Sequence, residues 1–153
     1  MVQKTLVVDP QKCIGCRQCE LICSYAHEGV YSPALSRVRV VKFEERCLAV
    51  PTMCADCRTQ VCREVCPTRA LRPRADGAVV VDEARCIGCK ECVLACPFGA
   101  ASIHPAKGTA FRCDLCDGRA LCVEGCPAGA IAFVELARVP QEKRRSRAAA
   151  IAL

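Results

Sequence analysis

Sixteen of the seventeen cysteines in this 153-residue chain fall into four groups of four. The first group is Cys13, Cys16, Cys19 and Cys23, and the second is Cys54, Cys57, Cys62 and Cys66. The third is Cys86, Cys89, Cys92 and Cys96, and the fourth is Cys113, Cys116, Cys122 and Cys126. Cysteine counts for much of the stated 52% hydrophobic content; without it the aliphatic and aromatic share falls to roughly 41%. There is no Trp, and Phe and Tyr make up only 4% of the chain. So few large core side chains demand disulfides or metal as a further source of stability. No apolar run approaches the ~20 residues of a spanning helix, so no membrane span is expected. No secretory signal precedes Asp9, which predicts a cytoplasmic chain whose thiols stay reduced and serve as metal ligands.

The spacing selects the metal. Groups one and three read C-x2-C-x2-C-x3-C, and group three ends in Pro97. That run holds the cubanes of bacterial two-cluster ferredoxins, where three thiolates on a tight loop serve one cluster and the fourth reaches the other. Groups two and four widen the middle gap to four and five residues but keep the terminal C-x3-C-P. Zinc bound by C-x2-C pairs, in a metal-stabilised binding adaptor, would leave eight cysteines unused. Cys47 stands outside the groups and reads as a small buried hydrophobe. His27 and His104 have no partner pattern and read as hydrogen-bonded or surface side chains.

Other repeats accompany the cysteines. PTRAL, PFGAA and PAGAI follow groups two, three and four, a Pro-x-x-Ala-apolar step that predicts a turn into a short strand. Strands are expected at Thr5–Val8, Val38–Lys42, Ala78–Asp82, Ala101–His104 and Ile131–Glu135. Helices are expected at Arg17–Ala26, Thr59–Val65, Lys90–Ala95 and Arg119–Gly125. RPRADG, from Arg72 to Gly77, reads as the seam between sequence halves. Ser24 stands where the other groups have proline, so the first helix is expected to run on toward Gly29, with a loop to Ser36.

Four such motifs, with no other catalytic signature, resemble the polyferredoxin electron-transfer subunits of oxidoreductase complexes. That family serves dimethyl sulfoxide reductase-type enzymes, formate hydrogenlyase and carbon monoxide dehydrogenase. VVDPQKCIGCRQCELICSYAHEG, VPTMCADC and VVVDEARCIGCKECVLACPFGA look most like the small iron–sulfur subunit accompanying tungsten-containing aldehyde oxidoreductases. The shortness of the chain suits that partner and a carbon monoxide dehydrogenase equally. The resemblance implies a small α+β fold of two interlocked ferredoxin-like modules around four 4Fe–4S clusters, spanning residues 1–139. It also implies the pairing of motif one with four and two with three. One cluster would take Cys13, Cys16, Cys19 and Cys126, and its neighbour Cys113, Cys116, Cys122 and Cys23. A third would take Cys54, Cys57, Cys62 and Cys96, and the fourth Cys86, Cys89, Cys92 and Cys66.

Complete thiolate sets leave no open position for substrate, so the expectation is a non-catalytic relay of single electrons. The electrons would pass between a tungsten- or molybdenum-pterin subunit and an accepting subunit or ferredoxin, with hydrogenase and formate dehydrogenase partners as alternatives. The formal charge of +6 is largely offset by four clusters of about −2 each. With few aromatics and no basic stripe before Lys143, nucleic-acid binding is not expected. Residues 140–153 read as a basic helix begun by Pro140, docking on a partner or on a further copy of the protein.

Overall fold

The computed structural model describes residues 4–55, 57, 59–141, 143–144 and 148. Its frame is four separate two-stranded antiparallel sheets joined by short helices, a small α+β fold of ferredoxin type. Strand β1 (Lys4–Val8) pairs with the distant β8 (Ile131–Glu135), from Lys4 opposite Glu135 to Val8 opposite Ile131. The other sheets are local hairpins: β2 (Arg39–Phe43) with β3 (Leu48–Thr52), β4 (Leu71–Pro73) with β5 (Val79–Val81), and β6 (Ala101–Ile103) with β7 (Ala110–Arg112).

All five expected strands are present, and β3, β4 and β7 are additional. The additional strands hide in the sequence because they are short and two of them carry proline, Pro51 in β3 and Pro73 in β4. In a two-stranded sheet every strand is an edge, so a missing N–H can face away from the ladder. The RPRADG seam is corrected here. Those residues finish β4 and turn into β5, with Gly77 N–H donating to Arg74 O and Arg74 N–H to Ala78 O. Arg74 also donates to the Asp114 carbonyl at 2.6 Å and pairs with Asp76 and Asp117. The segment therefore ties sequence halves together.

Helix α1 (Gln18–Glu28) is much longer than α2 (Val61–Glu64), α3 (Glu91–Leu94) and α4 (Leu121–Glu124). Proline stops the three short ones, whereas α1 runs past Ser24 to a left-handed Gly29 cap whose N–H donates to Tyr25 O. The insertion that follows is pinned to α1. Ser24 is fully buried, donates to Leu21 O and accepts from Ser32 N–H, while buried Glu20 accepts from Val40 N–H at 2.7 Å.

Helix α1 packs on α4, and α2 on α3. The α1–α4 approach is close enough that a Cβ on Gly125 would lie 1.9 Å from Ile22 Cδ1. The core has few large side chains: Leu115 and Val79 are the largest apolar ones that are fully buried, and Cys19, Cys23, Cys54, Cys92, Cys113 and Cys122 fill much of the rest. The tail is helical at Val139–Gln141 and at Lys143 and Arg144; most of the expected docking helix lies outside the described residues.

Two predictions follow from this packing. Gly88 has φ +66°, and a Cβ there would sit 2.3 Å from the Gly108 carbonyl oxygen. Gly88→Ala should lose about 1–2 kcal/mol to left-handed strain alone, with a further loss from displaced backbone, read as a lower midpoint in thermal unfolding. The second concerns Glu28, whose Oε2 lies 3.3 Å from both His104 Nε2 and Lys107 Nζ and whose Oε1 lies 3.8 Å from Arg37. Burial alone would raise its pKa, but Lys107, His104 and Arg37 outweigh that and hold it below its ordinary value. A depressed folded-state pKa stabilises above the unfolded value and is lost as pH falls through the folded one. Glu28→Gln should therefore be less stable than wild type at pH 7, with the difference closing below about pH 4 in denaturant titrations.

Candidate metal centres

Each cysteine motif folds by the same local device. The residue two positions before the third cysteine is left-handed in all four: Arg17 (φ 60°), Gln60 (43°), Lys90 (69°) and Ala120 (50°). None is glycine, so each costs about 1–2 kcal/mol of backbone strain. The kink starts a helix, and its first turn carries Cys19, Cys62, Cys92 or Cys122. Strain repeated at four equivalent positions marks a function that over-determines the backbone.

The fourth cysteine of each motif accepts a backbone hydrogen bond at sulfur. Cys66, Cys96 and Cys126 accept from the N–H groups of Ala70, Ala100 and Ala130, each at 3.3 Å. This is the chemistry of the Pro-x-x-Ala step: proline ends the helix, and the chain doubles back to aim the alanine amide at sulfur. Motif one lacks that proline and reaches the same result by a longer path. Its insertion returns to place the Arg37 N–H 3.3 Å from Cys23 Sγ.

None of the seventeen cysteines forms a disulfide. One cavity is lined by Cys66, Cys86, Cys89 and Cys92. A second is lined by Cys23, Cys113, Cys116 and Cys122. A third is lined by Cys54, Cys57, Cys62 and Cys96. Each gathers three cysteines from one motif and the fourth from another. Cys13, Cys19 and Cys126 meet in one part of the core, and the Cys19 thiol feels both Cys16 and Cys126.

Without metal these thiols are an electrostatic problem. Burial pushes Cys19 up to about 12 against the Glu20 amide, with the Glu20 carboxylate, Cys16 and Cys126 adding to the rise. Burial and crowding by other cysteines push Cys122 to about 12 and Cys92 to about 11. Burial also raises Cys62, although Arg112 opposes it. Cys66 and Cys23 go the other way. Burial disfavours their thiolates, but Thr68 and the Ala70 amide at Cys66, and His27 and the Arg37 amide at Cys23, outweigh it. Soft sulfur donors packed this densely, with N–H groups aimed at them, fit an iron–sulfur cluster.

His27 belongs to this environment. Its Nδ1 lies 2.8 Å from the Cys23 carbonyl and its Nε2 3.0 Å from Asp114 Oδ1. Asp114, then Cys116 and Cys23, raise its pKa to about 12. Burial would raise the Asp114 carboxyl, but His27 and the Cys116 amide bring it down to about 2. His104 is buried, and its Nδ1 accepts from the N–H groups of Ala106 and Lys107. Cys47 corrects the expectation of a buried hydrophobe. It is exposed and left-handed (φ 48°), turning the β2–β3 hairpin.

Cavities lined by four cysteine thiols, in a frame of short hairpins and helices, define an iron–sulfur protein of ferredoxin type. Residues 46–136 match the family model of the 4Fe-4S dicluster domain, and residues 5–31 match that of a 4Fe-4S binding domain. The chain is 45% identical to the aliphatic sulfonate oxidoreductase, polyferredoxin-like subunit, of Pyrococcus furiosus, over 79% of this chain and 70% of that one. It is 34% identical to the electron transport protein HydN of Escherichia coli K12, covering 96% of this chain and 98% of HydN. Among solved structures it resembles a chain of the active site complex BamBC of benzoyl coenzyme A reductase, with TM-score 0.54 and 31% identity over 88% of this chain and 78% of that one. The chain belongs to the polyferredoxin-like 4Fe–4S dicluster family of electron-transfer subunits, and 4Fe–4S clusters are its cofactors.

Proposed function

We propose that the chain is a four-cluster electron relay serving a tungsten-pterin oxidoreductase in the cytoplasm, with residues 1–139 as its cluster domain. The observation that carries the relay is the lining of three cavities by four cysteines each, three from one motif and one from another. On this reading Cys13, Cys16, Cys19 and Cys126 form the remaining ligand set. A 4Fe–4S cluster with four thiolates exchanges one electron and has no open coordination position, so catalysis rests with a partner.

The chain's own residues order the sets. Motifs one and four share the α1–α4 contact, and motifs two and three share the α2–α3 contact. Between these pairs, Cys54 and Cys113 lie in one core cluster with Leu115 and Ala78. The Cys54 and Cys113 sets are therefore the inner members of a row, with the Cys86 and Cys13 sets at its ends. An oxidoreductase as partner is supported by likeness to the aliphatic sulfonate oxidoreductase subunit and to BamBC, and the choice of a tungsten enzyme rests on the phrases VVDPQKCIGCRQCELICSYAHEG and VPTMCADC. Docking has material to use: Ile14, Ile87 and Leu94 are at least two-thirds exposed, and the stacked rings of Tyr25 and Tyr31 face solvent. Among the described residues no helix is long and apolar enough to cross a membrane.

Iron and acid-labile sulfide analysis of anaerobically purified protein should give about sixteen of each per chain, four for each cubane. Zinc without sulfide would end the relay reading. Cys19→Ser and Cys62→Ser should each lose about four irons and yield protein of lower thermal stability. Tungsten in the co-purifying subunit would support the choice of partner, and nickel would overturn it.

A further inference from the structure

The donors that meet cysteine sulfur are not alike across the sets. In the outer sets and at Cys23 they are uncharged, chiefly backbone amides: Ala130 to Cys126, Ala70 to Cys66, Ala110 to Cys86, and Arg37 to Cys23, with the Thr68 hydroxyl 3.7 Å from Cys66 Sγ. At the Cys54 set such an amide runs from Ala100 to Cys96. That set has in addition a buried guanidinium. Arg112, 6% exposed, donates through one terminal nitrogen to Cys62 Sγ at 3.2 Å and through the other to Cys54 Sγ. The same side chain lines the cavity formed by Cys54, Cys57, Cys62 and Cys96. It is held there by β7, a strand buried at all three of its residues, and Cys113 of the next set follows it directly in sequence.

The physical consequence is specific. Adding an electron to a thiolate-ligated cluster increases its negative charge, so N–H donors to sulfur favour the reduced state, and a charged donor in a dry site favours it most. A forked guanidinium bonded to two sulfurs of one set is the strongest such arrangement among the described residues. His27 and Arg37 also line the Cys113 cavity and Lys90 the Cys86 cavity; His27 directs Nδ1 at the Cys23 carbonyl and lies 4.0 Å from its sulfur, and Arg37 meets that sulfur through its backbone N–H.

We propose that Arg112 makes the cluster held by Cys54, Cys57, Cys62 and Cys96 the highest-potential centre of the four, so that electrons collect at an inner position of the row. This deepens the four-cluster reading and rests on it. Arg112 is a positioning residue that acts through the cysteine sulfurs. No bond forms or breaks; one electron from a partner's donor reduces the cluster, and Arg112 stays bonded to the same sulfurs in both states.

The test is potentiometric titration of the cluster-loaded protein, followed by electron paramagnetic resonance, for wild type, Arg112→Gln, Arg112→Lys and Cys57→Ser. Wild-type iron well short of about sixteen would defeat the four-cluster reading itself, before any variant is compared. With full iron, Arg112→Gln should move the highest of the four transitions to more negative potential and leave the other three in place. Arg112→Lys, which keeps the charge but loses the fork, should move the same transition by less. Cys57→Ser should remove or distort that same transition. Unchanged potentials in fully loaded Arg112→Gln, or a shift in a different transition from the one Cys57→Ser affects, would overturn the proposal. Should Arg112→Gln fail to hold the cluster, Arg112→Lys decides: a negative shift confined to the highest transition supports it, and four unchanged potentials overturn it. A merely structural role would lower iron content or stability without moving a potential.

Discussion

The backbone amide that donates to the sulfur of each fourth cysteine is the interaction on which the rest of the structure depends. A thiolate that leaves its own loop to complete a distant set must be aimed and its charge satisfied. The alanine amide does both at Cys66, Cys96 and Cys126. Aiming requires the helix to stop at once, which explains the prolines, and requires the chain to return, which starts β4, β6 and β8 just beyond the alanines. The hairpins are thus by-products of sulfur ligation as much as of strand propensity. Two-stranded ribbons of three to five residues have little stability of their own, so the metal sites hold the sheets together rather than the reverse.

Motif one shows that the amide contact, and not the proline, is what the architecture requires. Without proline the helix continues to Glu28, and the insertion that follows brings the Arg37 N–H to the same 3.3 Å from sulfur. The detour adds something its siblings lack. Glu28, at the end of the extended helix, reaches His104 and Lys107 around the β6–β7 hairpin, while His27 reaches Asp114 in motif four. The longest helix therefore ties motif one both to motif four and to the β6–β7 hairpin.

The cysteine spacing, the four helices and the five β-branched strands were legible in the sequence because each follows a short-range rule. Long-range closure was less so. Nothing local in LRP or AFR marks a strand; each becomes one because a turn returns it to a partner, Leu71 to Val81 and Ala110 to Ile103. RPRADG read as a boundary for the same reason, since polar turn residues look alike in a linker and in a hairpin. Cys47 misled because cysteine is usually buried, whereas here a left-handed turn sets it in solvent. Of the sites, the ligand types were plain, but Arg112 was invisible. An arginine beside a cysteine motif carries no sign of which set it will face, and the structure brings it to Cys54 and Cys62 of another motif.

Charge gives the sites a common logic. The chain is formally +6, and its buried cations are spent unevenly. His27 is paired with a carboxylate, so its field at the nearby sulfurs is reduced. Arg37 lies across from Glu28 and offers its backbone to Cys23. Arg112 brings its guanidinium directly to sulfur. Sets built by the same backbone device from near-identical cysteine motifs are therefore not electrically equal. In such a repeat the amides supply a uniform background, and the side chains that happen to face each set supply the differences. A protein that moves electrons in one direction needs those differences, and they must come from residues outside the repeated pattern.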